Sequence, residues 1–521
     1  MLLMPLSVHA QETNKGMTRI LSDIRYNTEV SATASTGDYA PFWLTANQQG
    51  LSSVENNSAY LRGGLFRDTH ADSLRNWQLG YGADLAVAAN YTSKLVVQQL
   101  YGDLRYKAVG LSVGAKERPM EMKNNLLSTG SQTLGINARP VPQVRIGLPE
   151  YWNVPLTRGW VQIKGHIAYG KMTDDNWQHD FTNKLSNYTD NLLYHSKAGY
   201  LRIYNEDYDY PLSLEAGLEM ATLFGGTCHQ WSKKGIPFIT ENGTGLKSFW
   251  NAFIPGGGDV GESQFGYTNV EGNQLGSWMI RVNYDKRNWR ASVYIDHFFE
   301  DQSGMFLLDY DGYGTGNEWN VKKKRRYLLY DFRDMMLGTE INLKQGTWLR
   351  DIVLEYIYTK YQSGPIYHDH NPGNSDHLGG KDNYYNHDFY PGWQHWGQVI
   401  GNPLFTSPIY NESGQIKVTD NRFMAFHLGF SGRPTKQLCY RFLATWKEGL
   451  GTYKAPFYKR LTETSLLAEA NYDLTDQGMK GWKIGMGVGL DQGKIIGNNF
   501  GATLTLKKQG FLTTKSGRNK Q

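Results

Sequence analysis

The sequence predicts an all-β chain, a transmembrane antiparallel β-barrel of about 18 strands, with 16 as the alternative. Three observations lead there. From about Gly276 to Phe511, segments of strict two-residue alternation follow one another with hardly a break. The connections between them are very short and very long in turn. No run of about 18 apolar residues exists, so no helix can cross a membrane. Successive strand side chains face opposite sides, so alternation sets one apolar face against one polar face. Short turns on one edge and long loops on the other suit a bacterial outer-membrane barrel, with periplasmic turns and extracellular loops.

Composition agrees with this reading. The 521 residues include 34 Tyr, 15 Trp and 58 Gly, and the formal net charge is +5. Many aromatics suit two interfacial girdles, although a sugar-binding or core-rich soluble β protein would also carry them. The mean hydropathy of −0.54 is compatible with a barrel, because every second strand residue faces a polar lumen. The small charge gives no reason to read a nucleic-acid partner. Cys228 and Cys439 lie far apart and read as two free thiols.

Taken from the N-terminus, residues 1–10 end in Val8-His9-Ala10 and read as the remnant of a truncated secretory signal peptide. Residues 11–57 are expected on the periplasmic side or in the lumen, 58–512 in the barrel, and 513–521 as a polar tail. In the first half, Trp77, Leu79, Tyr81, Ala83, Leu85 and Val87 share one face, and 95–106, 160–170, 197–204 and 213–224 are further strands. Residues 117–158, rich in Pro and Asn, read as strand-free, placed in the lumen or at the periplasmic mouth. Then Trp278, Ile280, Val282 and Tyr284 alternate up to the turn Asp285-Lys286-Arg287-Asn288, and Trp289, Ala291, Val293 and Ile295 leave it. Segments 335–343 and 349–360 flank the turn Lys344-Gln345-Gly346-Thr347. Met424 to Phe430, Leu438 to Trp446, Leu466 to Tyr472, Trp482 to Leu490 and Phe500 to Leu506 complete the series. Gly485, Gly487 and Gly489 fall on the lumen side and leave room there, for open space or a plug.

Three segments carry more identity than a generic barrel needs. They are Tyr39-Ala-Pro-Phe-Trp-Leu-Thr-Ala-Asn-Gln-Gln-Gly50, Asn137-Ala-Arg-Pro-Val-Pro-Gln-Val-Arg-Ile-Gly-Leu-Pro-Glu-Tyr-Trp152, and Gly380-Lys-Asp-Asn-Tyr-Tyr-Asn-His387 continuing to Leu404. With the barrel rhythm, they resemble the capsule-assembly Wzi family in its Bacteroidetes-type branch, over nearly the whole chain. The resemblance implies an 18-stranded outer-membrane lectin that holds capsular or exopolysaccharide at the cell surface. It also implies a small helical element at the periplasmic end, for which the sequence offers no amphipathic helix.

The long connection 361–421 fits in kind. It exceeds ordinary loop length, and such loops are functional or disordered. Its aromatics Tyr384, Tyr385, Tyr390, Trp393 and Trp396 can stack on sugar faces, while Asp382, Asn383, Asn386 and His395 can hydrogen-bond hydroxyls. These nine are the expected polysaccharide-binding residues. The plainer alternative is that the aromatics pack the loop on itself and cap the barrel. The run Lys322-Lys323-Lys324-Arg325-Arg326 is expected to meet an acidic polymer or lipopolysaccharide phosphates.

Other clusters carry less. His368-Asp369-His370 with Asp376 and His377 has ligand-type residues but no metal-binding spacing, so no metal or cofactor is read. Tyr194-His195-Ser196 puts neighbours on opposite strand faces, where they cannot pair, and no Gly-x-Ser-x-Gly elbow exists. The expected function is therefore a non-enzymatic lectin. A porin-like channel for sugars or small solutes and an outer-membrane lipid hydrolase are the alternatives. The expected partners are surface polysaccharide, outer-membrane lipid and lipopolysaccharide, with a monomer favoured.

Overall fold

The computed structural model describes residues 20–512, apart from 184–185, 206, 209, 233, 255–270, 301–304, 306–311, 314–315, 324–333 and 368–377. Eighteen antiparallel strands, each paired with the next in the chain, close into one barrel. Strands β1 to β6 are Arg25–Thr36, Asn57–Arg67, Trp77–Ala89, Leu95–Tyr106, Val109–Ala115 and Gln143–Asn153. Strands β7 to β12 are Val161–Lys171, Leu193–Ile203, Leu212–Phe224, Asn273–Asp285, Trp289–Glu300 and Met335–Leu343. Strands β13 to β18 are Asp351–Tyr358, Phe423–Gly432, Leu438–Gly451, Pro456–Asp473, Trp482–Gly493 and Asn499–Phe511. The seam joins β1 to β18, from Arg25 opposite Phe511 to Thr36 opposite Phe500.

The two edges differ as the turn pattern requires. One edge carries 68–76, 107–108, 154–160, 204–211, 286–288, 344–350, 433–437 and 474–481, together with both chain ends of the wall. The other carries every long connection, including 37–56, 116–142, 172–192, 225–272, 301–334 and 359–422. The short-turn edge is the periplasmic one.

Outward side chains are apolar through the middle of the wall. On β17, Ile484, Met486 and Leu490 are exposed while Gly485, Gly487 and Gly489 face in. Near the short-turn edge, Trp77, Tyr106, Trp152, Trp289, Trp348 and Phe511 are exposed, and the rings of Trp77 and Tyr106 lie 4.6 Å apart. An apolar band ending in an aromatic girdle is what a lipid-facing surface needs. The free thiols are as expected, Cys228 buried and Cys439 exposed.

Two expectations are corrected. Residues 11–57 contain β1, which is a wall strand. Its outward residues are Thr28, Val30, Ala32, Ala34 and Thr36, too small to give the alternation contrast. Residues 117–158 contain β6, whose pairing with β7 shifts register between Leu148 and Trp152 around Pro149. The helix Leu246–Phe253 also departs from what the resemblance implies, since it belongs to a long-loop connection rather than the periplasmic end. It lies against the wall, where Tyr169 Oη donates to Phe249 O at 2.8 Å and Thr222 Oγ1 to Ala252 O at 3.2 Å.

The core sits inside the barrel. Segments 37–56, 116–142 and 378–422 enter from the long-loop edge and fill the lumen around Trp43, Leu127, Tyr384, Tyr385, Trp393, Phe405 and Phe423. The inward glycines of β17 accommodate the helix Phe42–Thr45, for a Cβ at Gly489 would lie 2.6 Å from Pro41 Cβ.

Candidate functional site

The three identity-bearing segments meet in this plug. Asn47 is held by Asn137, its backbone N–H donating to Oδ1 at 3.0 Å, and Asn137 Nδ2 donates to Val399 O at 3.0 Å. Asn402 Nδ2 donates to Gly130 O at 2.9 Å, and Tyr385 Oη donates to Gln132 O. Segment 116–142 reaches almost to the short-turn edge, where Arg281 Nη1 donates to Met122 O and Arg441 Nη1 to Leu126 O, each at 3.0 Å.

Buried wall charges anchor it. Glu355 accepts from Ser128 Oγ, from the Thr129 backbone N–H and hydroxyl, and from Tyr294 Oη, all within 2.8 Å. Lys123 pairs with Asp296. Lys447 Nζ lies 2.8 Å from Asp420 Oδ2 and donates to Leu404 O at 2.6 Å. Each of these three sites thus gives its buried ion an opposite charge or several donors, without which burial would be costly.

The plug changes the standing of the expected sugar-binding residues. Tyr384, Tyr385 and Trp393 are fully enclosed; Tyr385 stacks on Phe405 at 4.0 Å and Tyr384 meets Phe298 edge-on at 5.1 Å. Tyr390 and His395 are buried as well. None of these five offers a face to a sugar in this arrangement, because all lie inside the plug rather than on an outer platform. Asn383 Oδ1 accepts from Asn421 Nδ2 at 2.8 Å, and Asn386 exchanges two bonds with the Val418 backbone at 2.8 and 2.9 Å. Asp382 is half-buried, its backbone N–H on Gln362 O at 3.2 Å. Burial of the phenols at Tyr384 and Tyr385 pushes both well above their ordinary range.

Trp396 alone of the predicted rings remains partly open, at the edge of the plug. Its indole N–H reaches Thr173 Oγ1 at 3.4 Å, and the Arg139 guanidinium lies 4.3 Å from the ring centroid. Beneath it His395 Nε2 accepts the Thr173 backbone N–H at 3.2 Å, so Nδ1 carries the proton and donates to Arg139 O at 2.9 Å. Burial first, and Arg139 second among the unfavourable causes, pushes His395 down to about 4. Tyr385, Trp393 and Trp396 have φ of 67°, 40° and 57°, a left-handed backbone that costs bulky residues about 1–3 kcal/mol each.

Sequence reasoning missed the connection that packs against Gly397, next to Trp396 in the chain. The connection 172–192 carries the helix Trp177–Thr182, in which Trp177 and Phe181 stack at 4.7 Å. A Cβ at Gly397 would lie 2.7 Å from the Trp177 ring, so Gly397 lets the two segments touch. The signal was Trp177-Gln-His-Asp-Phe181 beside Asp174, Asp175 and Asn176, aromatic and polar together within a long loop.

The remaining expectations fall as follows. Lys322 and Lys323 form a short strand opposite Tyr313 and Gly312 in the long-loop connection 301–334, and Lys324, Arg325 and Arg326 lie outside the described residues. The His368–His377 cluster, residues 1–10 and residues 513–521 lie outside them too. His195 and Ser196 do not pair with each other; His195 Nδ1 lies 2.9 Å from Ala168 O, and Ser196 Oγ lies 3.3 Å from His166 Nε2.

No family model matches the chain, and no curated protein matches it. Among solved structures it is similar to Wzi of Escherichia coli, an outer-membrane protein involved in group 1 capsule assembly and described as a carbohydrate binding β-barrel. That likeness has 13% identity and a TM-score of 0.51, covering 95% of this chain and 86% of that one. Similarity extends to Pseudomonas aeruginosa OccK5, with 8% identity, a TM-score of 0.44 and coverage of 95% and 99%. It extends also to opdK of the same organism, with 8% identity, a TM-score of 0.45 and coverage of 94% and 99%. The chain is an outer-membrane β-barrel.

Proposed function

We propose that this barrel is a non-enzymatic lectin that binds capsular or exopolysaccharide and supports its attachment at the cell surface. The observation that carries the reading is the plug: three segments fill the lumen with a hydrogen-bonded aromatic core, which leaves the long-loop surface as the working face. A wide diffusion channel would need that space open. The likeness to a capsule-assembly barrel that binds carbohydrate supports the same reading. The binding platform is Trp396 with Trp177 and Phe181, flanked by Asp174, Asp175 and Asn176. Lys322 to Arg326 supply a second contact for acidic polymer or lipopolysaccharide.

Aromatic faces are worth about 0.5–1.5 kcal/mol per ring beyond area burial. Trp396→Ala therefore weakens binding of the host strain's polymer several-fold while the barrel stays heat-modifiable on gels. In cells, deleting the gene leaves polymer synthesised but shed into the medium. Capsule retention at the parental level in the deletion strain would sink the reading.

A further inference from the structure

A cavity of about 370 Å³ lies between plug segment 116–142 and the inner faces of β4 to β9. That size is within the range of small-ligand sites. It runs from Gln49 and Arg139 in the plug to His70 and Glu150 at the short-turn edge, where those two side chains are 68% and 49% exposed. Its open end is therefore periplasmic, on the opposite side of the plug from the long-loop surface.

The six acidic and six basic side chains that line it are not matched one to one, and Asp68 lies 4.0 Å from Arg25, outside the cavity. Asp103 is taken by Lys116, Glu121 by Lys164 and Glu150 by Arg105. Glu117 pairs outside the cavity with Arg62 at 2.8 Å. Glu219 is occupied by Tyr200 Oη at 2.7 Å and the Leu134 backbone N–H at 3.3 Å. Three guanidiniums on the lining, those of Arg118, Arg139 and Arg145, make no ion pair among the described residues, although Asp103 acts on Arg118, and Glu121 and Glu219 on Arg145, from further off. Arg118 Nη2 reaches only Ser112 Oγ, at 3.0 Å, and its Nε is buried without an acceptor. Arg145 points inward, since Val144 and Ile146 on either side face out. Burial first, and the like charge of Arg145 second, push Arg118 down to about 9 against the opposing pull of Asp103. His166, between them and Ser196, keeps a buried Nδ1 with no partner.

We infer that Arg118 and Arg145 form a periplasm-facing site for an oxyanion carried on a sugar, a carboxylate or a phosphate. A planar fork binds either group with two parallel bonds, and an anion placed here would relieve two like charges at once. Arg139 extends the same surface toward the plug.

The test is calorimetric titration of the purified full chain in detergent at low salt, with galacturonate, glucose 6-phosphate and neutral glucose as probes. At least one charged sugar binds saturably, glucose does not, and the stronger of the two identifies the source of the oxyanion. Arg145→Gln and Arg118→Gln each weaken that binding at least tenfold. Arg145→Lys, which keeps the charge in case the Gln variants fail to fold, retains weaker binding. Absence of binding by both charged sugars, equal binding of glucose, or an unchanged affinity in a folded Arg145→Gln protein would overturn the assignment. The measurement involves no surface polymer, so its failure leaves the lectin reading intact.

Discussion

Leu354 and Glu355 are neighbours on β13, yet they belong to two different regions. Leu354 is 51% exposed toward the lipid, whereas Glu355 is 3% exposed and holds the plug through Ser128, Thr129 and Tyr294. The same division runs around the barrel. In the wall, large apolar side chains face outward and a small set of polar or glycine positions faces in. In the plug, aromatic rings are enclosed, and the hydroxyls of Tyr384 and Tyr385 are met by Asp334 and Gln132. The wall is specified by a period and tolerates exchange among apolar residues, while the plug is specified by particular partners and tolerates little.

The largest test of that contrast replaces residues 120–137 with a Gly-Ser segment of equal length. The wall still closes, and planar-bilayer recordings change from near-silence to large steady currents. Wide-pore currents from the unaltered protein would break the contrast outright, and would favour a diffusion channel. A sharper version uses the two neighbours. Glu355→Ala removes charge-assisted bonds from a buried site and loosens the plug by about 3 kcal/mol. Leu354→Ala costs about 1 kcal/mol of lipid-facing burial and leaves the plug alone. Hydrogen exchange across 116–142 should rise in the first variant and stay level in the second.

The smallest expected effect concerns pH. His395 sits near 4, below its ordinary 6.5, so the unfolded segment gains a proton at a pH where the folded one refuses it. Stability from this group is complete above about 6.5 and is lost as pH falls toward 4, amounting to about 2 kcal/mol at pH 5. Protection factors in 378–422, with exchange corrected for its intrinsic pH dependence, should therefore fall between pH 7 and pH 5 in the parent and much less in His395→Gln. An equal fall in both would assign the effect elsewhere.

The wall was legible because lipid outside and polar contacts inside impose a two-residue period on most strands. It failed where that cause was weak, in the Ala and Thr outward face of β1 and around Pro149 in β6. The plug was legible only as segments of unusual identity. Nothing local distinguishes an aromatic that will be enclosed, such as Tyr384 or Trp393, from one left at the surface, such as Trp396. That outcome depends on residues hundreds of positions away, as in the contact of Tyr385 with Gln132. Thr173 and Trp177 were missed for the same reason, since the closeness of Gly397 to Trp177 exists only once two loops have folded against each other.

The seam has a consequence for how the chain reaches this state. Ser31 and Thr33 of β1 hydrogen-bond Thr505 and Thr503 of β18, pairs separated by nearly the whole sequence. The next segment after β1 is the first piece of plug, and its Pro41 and Leu44 rest on the glycines of β17. Strand β1 must therefore wait for β18 before either the wall or the plug can be finished. Contacts of such long separation make folding slow and leave unpaired strand edges exposed meanwhile. Closing the seam and seating the first plug segment become a single late step, so a chain stalled before it has both an open edge and an empty lumen.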